Sequence, residues 1–316
     1  MTSPMQLSSA TTSTSRIDLP PLPTYSLLCG ADVDRALLCF DTLYRRCRDR
    51  FRLTVLDDGS LTAADRDRLL EAFGEMRILT KEEREDLVAP RLRGKPNCLR
   101  YRKEHVFSLK LLDGPLLDAG AFALCDSDIY FVRDFDGLDR RASATDDLAF
   151  MQDWCNGYAI TFSQRVLARR PLRLPERLNA GILYVGPRTY DLDFIEWFLG
   201  DVAFRGAATK HEIFLMEQTA WAALAGRVRS FYFDPEQVAF ATKERVFSGR
   251  LVALHFARGL RKLLDDSSFR AAAEEQSKIH GESAARLELR PAVFDGVVKG
   301  TVKGGHIAVG LRPRAW

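Results

Sequence analysis

Short apolar runs alternate with amphipathic segments along the first eighty residues, and this alternation predicts a parallel α/β sheet. Residues 26–29 form an apolar run that predicts a strand, and residues 32–47 carry apolar side chains at helical spacing. A second apolar run at 53–56 precedes a helical segment at 62–74, and a third run follows at 76–79. Strands that alternate with helices in this way are typical of a parallel sheet with right-handed crossovers.

The rest of the chain alternates less regularly, as expected for a mixed sheet with substrate-binding loops. Helices are predicted at 81–89, 99–113, 192–199, 211–225 and 269–279, with a loop at 90–98. Strands are predicted at 122–125, 158–162, 182–185 and 251–254. The glycine-containing segment 297–309 predicts a β-hairpin or a mobile flap. In the helix 99–113, Lys110 is one of the basic residues that could reach a phosphate group.

Two carboxylates, Asp126 and Asp128, directly follow the apolar strand 122–125. In an extended backbone, residues i and i+2 point to the same side, so both side chains can face one point. Carboxylate oxygens suit a divalent cation, and α/β sheets bind ligands beyond the carboxyl ends of parallel strands. Other D-x-D pairs, such as Asp65 and Asp67, fall in solvated helical sequence. The pair at the strand end therefore predicts a metal or nucleotide site.

Composition narrows the class of protein without indicating a substrate. The chain has 316 residues, of which 46% are hydrophobic, enough for a large core. Its 46 basic and 43 acidic residues give a net charge of +3, which makes no case for a nucleic-acid partner. The six cysteines form no C-x-x-C pattern, so we expect reduced thiols and no zinc site.

The N-terminal segment 1–22 is rich in Ser, Thr and Pro, and it predicts a disordered tail. It lacks the charged start and apolar stretch of a secretory signal, and no segment reaches the roughly 18 apolar residues of a membrane span. These features predict a soluble, cytoplasmic protein. No G-x-G-x-x-G follows the first strand, which disfavours a dinucleotide-dependent dehydrogenase.

Four motifs occur in a fixed order between residues 25 and 263: VLDDGS (55–60), LCDSDIYF (124–131), NAGILYV (179–185) with EQTAWAAL (217–224), and LHF (254–256). With these motifs the chain resembles the GT-A class of nucleotide-sugar glycosyltransferases, particularly the glycogenin-like retaining enzymes and related bacterial proteins. The resemblance implies a Rossmann-like GT-A domain at 23–285. Its nucleotide-binding half would be 23–136 and its acceptor half 137–285, with 286–316 as an extension.

The resemblance also implies roles for individual residues. Asp57 or Asp58 would contact the nucleoside, and Asp126 and Asp128 would hold the Mn²⁺ or Mg²⁺ ion that bridges the diphosphate. His255 would complete the metal shell. The family pattern places a phosphate-binding lysine after this histidine, and here Lys262 stands one residue late.

Other candidates follow from the chemistry of the residues. Gly30, in the turn after the first strand, is a candidate for the nucleotide site. The amide of Asn179 can recognise sugar hydroxyls, and Gly181 lets backbone approach a ligand closely. Glu217 lies in an apolar helix, where it could steady an oxocarbenium-like centre, position the acceptor or form a structural ion pair. Further acidic candidates for the catalytic site are Asp153 and, second to it, Asp234.

The sequence thus predicts a metal-dependent transferase that moves a hexose from a nucleoside-diphosphate sugar, with uridine diphosphate preferred, to an unidentified acceptor. Two alternatives stay open. One is a non-catalytic module that binds nucleotide sugars or glycans on the same fold. The other is a sugar-nucleotide pyrophosphorylase, which usually brings a glycine-rich basic loop after the first strand, whereas Gly30-Ala31-Asp32 is short and acidic.

Overall fold

The computed structural model describes residues 19–143, 147–160, 165, 168, 172–201, 213–242, 248–278, 283–294, 297–302 and 305–310. The strands are β1 (Leu22–Leu28), β2 (Phe51–Asp57), β3 (Arg77–Leu79), β4 (Phe122–Cys125), β5 (Ile129–Phe131), β6 (Phe135–Asp136), β7 (Asp147–Gln152), β8 (Leu178–Val185), β9 (Arg229–Phe233), β10 (Val238–Phe240), β11 (Ala253–His255), β12 (Ala285–Arg286), β13 (Leu289–Pro291), β14 (Val297–Val302) and β15 (Gly305–Gly310). The α-helices are α1 (Val33–Arg46), α2 (Ala63–Ala72), α3 (Lys81–Val88), α4 (Pro96–Glu104), α5 (Ser108–Leu117), α6 (Leu192–Gly200), α7 (Met216–Ala225), α8 (Arg261–Asp265) and α9 (Ser267–Lys278).

A central sheet of eight strands, in the order β13-β9-β7-β8-β4-β1-β2-β3, runs through the molecule. Strands β1, β2, β3 and β4 are parallel to one another, which confirms the sheet predicted for the first part of the chain. Strand β8 is antiparallel to both of its neighbours, β4 and β7, so the second half of the sheet is mixed, also as predicted. The fold is therefore the α/β class that the sequence indicates.

Helices cover both faces of this sheet because its strands are apolar on both sides. On one face, Val55 packs with Val33 and Phe40 of α1. On the other face, the neighbouring Leu56 lies in a cluster with Leu112 of α5 and Trp221 of α7. Consecutive strand residues point to opposite faces, so one apolar run can serve two helical layers. Strands β4 and β8 are buried along their whole length.

The strand directions bring the polar residues to one edge of the sheet. Strands β1, β2, β4 and β7 all end at this edge, and the antiparallel β8 begins there. Asp126 follows β4, Asp153 follows β7, and Asn179 lies at the start of β8. A small second sheet, β10-β11-β5, sets His255 opposite Ile129, just after Asp128. One edge therefore collects residues from both halves of the chain.

Several predicted elements differ in the structure. The predicted helix 99–113 is two helices, α4 and α5, because the backbone at His105 is extended (φ −148°, ψ 130°). The predicted loop 90–98 already contains the start of α4 at Pro96, whose fixed φ suits the first turn of a helix. No strand forms at 158–160, and residues 161 and 162 lie outside the described part of the chain. The helix predicted from 211 begins at Met216, and residues 211 and 212 are also outside the described part.

The ends of the domain also differ from the prediction. Strand β1 already begins at Leu22, the last residue of the predicted tail, and residues 1–18 lie outside the described part of the chain. Strand β13 pairs with β9, so part of the predicted extension belongs to the central sheet. Strands β14 and β15 pair antiparallel, which is the predicted hairpin. Among the described residues, no helix combines the length and apolarity needed to cross a bilayer.

Candidate active site

A cleft of about 860 Å³ opens at the polar edge of the central sheet. Most of the predicted site residues line it: Asp58, Lys110, Asp126, Asp128, Asp153, Asn179, Gly181, Glu217 and His255. Four others do not belong to the lining: Gly30, Asp57, Lys262 and Asp234. The cleft therefore brings together predicted residues that lie up to 197 positions apart, from Asp58 to His255.

Asp126, Asp128 and His255 form a group that can hold a metal ion, with one ligand atom from each within 4.8 Å of the others. The Nε2 atom of His255 lies 3.1 Å from Asp128 Oδ1 and 3.9 Å from Asp126 Oδ2. Asp128 Oδ1 is buried and makes no well-aligned hydrogen bond with a described residue, although His255 Nε2 faces it at 3.1 Å. A divalent cation would supply this missing partner, since two carboxylates and one imidazole suit Mn²⁺ or Mg²⁺.

Backbone contacts fix where these three side chains stand. The N–H of Asp126 donates to the carbonyl oxygen of Gly181 at 2.8 Å, and the N–H of Phe256 donates to that of Asp128 at 3.0 Å. Gly181 is needed for a steric reason. A Cβ atom at this position would lie 2.7 Å from Cε1 and Nδ1 of His255, closer than real Cβ contacts.

Gly181→Ala should therefore weaken metal binding by at least about tenfold, because the added methyl group displaces the imidazole from its position (about 1.4 kcal/mol). Calorimetric titration with Mn²⁺ measures the affinity directly. Gly120→Ala is the matched control, since a Cβ atom there meets nothing within 4 Å. Equal Mn²⁺ affinities for the two variants would show that His255 is not a ligand.

Two cations lie beside the acidic pair. Lys110 Nζ is 2.6 Å from Asp126 Oδ1 and donates to the carbonyl oxygen of Ala180 at 3.1 Å. Burial by itself would lower the pKa of Lys110, but the carboxylates of Asp126 and Glu217 outweigh it and raise that pKa. Lys110 therefore keeps its charge inside the protein, next to the group that can hold the metal.

Arg261 is the second cation, and the sequence interpretation missed it. Its Nε lies 3.0 Å from Asp128 Oδ2, and its Nη1 lies 2.8 Å from Asp32 Oδ2. Burial would raise the pKa of Asp128, but His255 and Arg261 outweigh it and hold that pKa well below its usual range. Lys262, the predicted phosphate contact, is exposed and lies outside the cleft lining. Adjacent helical residues point about 100° apart, so only one of the two can face the cleft.

The turn that carries Arg261 has an unusual backbone. Arg258 has a φ of 54°, in the left-handed region of the backbone, which residues other than glycine rarely adopt. Its guanidinium carbon lies 4.8 Å from the centre of the Phe214 ring, a cation–π contact. This contact offsets part of the backbone strain and ties the turn to the segment before α7.

Glu217 lies in the cleft wall, with only 5% of its surface exposed. Its Oε1 is 3.8 Å from Lys110 Nζ and has no hydrogen-bond partner among the described residues. Burial raises the pKa of Glu217 to about 7, although the charge of Lys110 opposes this shift. The structure thus gives Glu217 an ion-pair partner, one of the alternatives that the sequence left open.

The raised pKa of Glu217 has a consequence for stability. The protonated side chain stabilises the folded state fully when the pH is below the pKa of the unfolded state. This stabilisation is lost as the pH rises through about 7, the pKa in the folded state. Between pH 5 and pH 8, wild-type protein should lose about 2 to 3 kcal/mol of unfolding free energy that Glu217→Gln does not lose. Urea unfolding in the presence of a chelator measures this difference. Glu104→Gln, which removes a 48%-exposed partner of Arg100, should follow the wild type. Parallel pH profiles for wild type and Glu217→Gln would contradict the prediction.

A hydrogen-bonded group of polar side chains lies beyond the metal-binding group. Asn179 Nδ2 donates to Asp153 Oδ2 at 3.1 Å and to Gln218 Oε1 at 3.3 Å. Asn179 Oδ1 accepts the N–H of Gly181 at 2.8 Å, and Gln218 Nε2 donates to the carbonyl oxygen of Gly157 at 2.9 Å. Burial raises the pKa of Asp153. The amides can donate to and accept from hydroxyl groups, and the carboxylate can accept from them.

Gln218 is a cleft residue that the sequence interpretation missed. The signal was available, because Gln218 lies next to Glu217 in the motif EQTAWAAL. Both side chains line the cleft, and the uncharged Gln218 carries no signal in the sequence as clear as the charge of Glu217. Asp234, by contrast, is only 1% exposed and pairs with Arg250 at 3.1 Å and Arg290 at 2.8 Å. Its position is that of a structural ion-pair residue.

At the opposite end of the cleft, the turn after β2 presents Asp58. The carboxylate of Asp57 is buried and accepts the N–H of Gly59 at 2.7 Å, so it shapes the turn. The N–H of Gly30 donates to Ser60 Oγ at 2.8 Å, and a Cβ on Gly30 would lie 2.8 Å from the Ser60 carbonyl oxygen. Asp58 therefore faces the cleft, while Asp57 and Gly30 hold its loop in place.

Comparison with known proteins gives only distant similarities. No protein-family model matches the chain, and no curated protein matches it. Its structure is similar to the galactosyltransferase LgtC in complex with donor and acceptor sugar analogues, with a TM-score of 0.45 and 14% identity over 82% of this chain and 97% of that chain. Mouse xyloside xylosyltransferase 1 gives a TM-score of 0.45 and 10% identity over 75% of this chain and 98% of that one.

A third similar structure is the bifunctional glycosyltransferase WbbM, with a TM-score of 0.42 and 8% identity over 81% of this chain and 51% of that one. All three solved proteins are glycosyltransferases. At identities and TM-scores this low, similarity assigns no function, and the side chains of the cleft have to support that conclusion.

Proposed function

We propose that this protein is a metal-dependent glycosyltransferase that moves a hexose from a nucleoside-diphosphate sugar to an acceptor hydroxyl. The observation that carries the proposal is the group Asp126, Asp128 and His255 in the lining of the cleft. The same cleft is lined by Asp58 after β2 and by the polar group Asp153, Asn179 and Gln218. Uridine diphosphate is the first nucleotide to test, because of the motif resemblance. The ion is Mn²⁺ or Mg²⁺, and the imidazole ligand favours Mn²⁺.

Departure of a nucleoside diphosphate leaves negative charge on the phosphate oxygens. A bound divalent ion would neutralise this charge as a Lewis acid. The chain supplies two further cations at the same place. Lys110, held by Asp126 and the Ala180 carbonyl, is charged and already oriented, so it stabilises the developing charge without reorganising. Arg261 presents a planar guanidinium, which suits phosphate oxygens in a bidentate arrangement.

The group Asn179, Asp153 and Gln218 would hold the transferred sugar and the attacking hydroxyl. The three side chains fix one another by hydrogen bonds, so their free donors and acceptors have defined directions. Fixed groups of this kind restrict the orientation of a substrate, which lowers the entropic part of the barrier. Asp153 directly follows β7. Its carboxylate would face the acceptor at this end of the cleft.

A panel of nucleoside-diphosphate hexoses incubated with the protein and Mn²⁺ tests the proposal. Release of nucleoside diphosphate from at least one donor, lost on chelation, is the expected result. Binding of the donor without any release or transfer would identify a non-catalytic binding module. Formation of a sugar nucleotide from a sugar phosphate and a nucleoside triphosphate would identify a pyrophosphorylase.

A further inference from the structure

Trp154 is an exposed aromatic side chain in the wall of the cleft. It is 56% exposed, and it is the one aromatic among the large hydrophobic side chains that are exposed in the described part of the chain. Tryptophan usually buries most of its large apolar surface, either in a core or against a partner. Because this indole lines the cleft, its open surface is available to a ligand bound there.

The indole is held rigidly. It stacks on Phe240 with ring centres 5.0 Å apart and an interplanar angle of 18°. Phe240 stacks in turn on His255, at 4.9 Å and 26°. Since Phe240 covers one face of the indole, the open area belongs to the other face and the edge. The stack also fixes this platform relative to the group that can hold the metal.

The strand order gives the distance between the platform and the nucleotide end. Trp154 follows β7, which is two strands from β4, and Asp58 follows β2, two strands from β4 on the other side. Neighbouring strands lie about 4.8 Å apart, so each arm of the cleft is about 10 Å long. A diphosphate bound at the end of β4, with its nucleoside toward Asp58, would leave the Trp154 arm free for the acceptor.

We propose that the open face of Trp154 binds a pyranose ring of the acceptor, so that the acceptor is a carbohydrate. This inference rests on the proposed function. A pyranose has a flat face of C–H groups and a rim of hydroxyls, and the Trp154 arm offers partners for both. The indole provides the apolar surface, and the adjacent group of Asp153, Asn179 and Gln218 provides hydrogen bonds for the rim. A serine-containing peptide or a simple alcohol lacks this flat apolar face, and a tyrosine side chain has a flat face but no rim of hydroxyls for the polar group.

Transfer assays with methyl hexopyranosides and disaccharides, compared with serine- and tyrosine-containing peptides, test the inference. Wild-type protein should prefer the glycosides. Trp154→Ala should raise the KM for the glycoside by at least about tenfold, and Trp154→Phe, which keeps an aromatic face, should recover most of the affinity. Val293→Ala, at an equally exposed apolar position, is the matched control and should leave the KM unchanged.

Three results would overturn the inference: an unchanged glycoside KM in Trp154→Ala, a loss of nucleoside-diphosphate binding in that variant, or transfer to the peptides only. The second result would make Trp154 a contact of the nucleobase. Saturation-transfer NMR with the methyl glycosides alone reports binding without turnover. If the glycosides bind the wild type and Trp154→Ala equally, the platform is excluded even where no donor is found. Absence of nucleoside-diphosphate release from every donor contradicts the proposed function instead.

Discussion

Asp128→Asn should abolish the metal-dependent binding of nucleoside diphosphate and lower turnover by about a hundredfold to a thousandfold, the scale expected for losing one preorganised electrostatic group. Asp128 is buried and is approached by His255 on one oxygen and by Arg261 on the other. The amide keeps the shape but removes the charge that holds the cation. Calorimetry with uridine diphosphate, in Mn²⁺ and in chelator, measures the effect on binding.

Asp34→Asn is the matched control for this variant, because Asp34 is the second residue of another D-x-D pair and is 85% exposed beside Arg68. It should bind nucleotide like the wild type. Ligand at about 100 times its dissociation constant stabilises a protein by about 2.7 kcal/mol, so thermal unfolding gives a second measurement. Retention of the Mn²⁺-dependent stabilisation in Asp128→Asn would exclude this carboxylate as a ligand.

Asp113→Asn should lower the unfolding free energy by about 3 to 5 kcal/mol, as expected when one member of a buried ion pair is removed. Asp113 has no exposed surface, and its carboxylate binds two arginines. Arg84 Nη1 lies 2.7 Å from Oδ2, and Arg102 Nε lies 2.8 Å from Oδ1. The variant leaves the buried Arg84 without its carboxylate partner, whereas Arg102 keeps its ion pair with Glu85. Urea unfolding measures the loss.

Asp193→Asn makes the same chemical change at a surface ion pair, where Asp193 contacts Lys95 and is 84% exposed. Solvent screens such pairs, so the expected loss is about 0.5 kcal/mol or less. An equally small loss of unfolding free energy in both variants would show that the Asp113 network is not stabilising.

Arg84 also donates to the Asp57 carbonyl oxygen. Asp113→Asn should therefore also loosen the turn that presents Asp58.

The sequence predicts the first half of the fold well because each apolar run there is followed by a helix with clear start and end signals. Thr62 and Thr80 cap α2 and α3 with reciprocal hydrogen bonds, which local sequence can reveal. Strand β7, which pairs with β8 and β9, was not predicted from the sequence. Its pairing also contains an irregularity between Phe150 and Met151, which breaks the simple alternation of inward and outward residues.

The residues of the candidate site also divide into those that the sequence predicts and those that only the structure reveals. Asp126, Asp128 and His255 could be proposed from motifs, because each lies at the end of a buried strand: Asp126 follows β4, Asp128 precedes β5 and His255 ends β11. The choice between Arg261 and Lys262 depends on a turn in which Arg258 has a positive φ, and no pattern in the sequence predicts that angle. Trp154 also escaped prediction, since an exposed aromatic cannot be distinguished from a core residue until its neighbours are known.

The position of β8 between β4 and β7 has a consequence for any attempt to divide the chain. A fragment that ends at Asp136 keeps the parallel strands β1 to β4 but loses β8, the partner of β4. All four residues of β4 are buried, so such a fragment would present a bare, fully apolar edge strand. Exposed edges of this kind pair with other chains and aggregate. We therefore expect the two halves of the central sheet to fold as one cooperative unit.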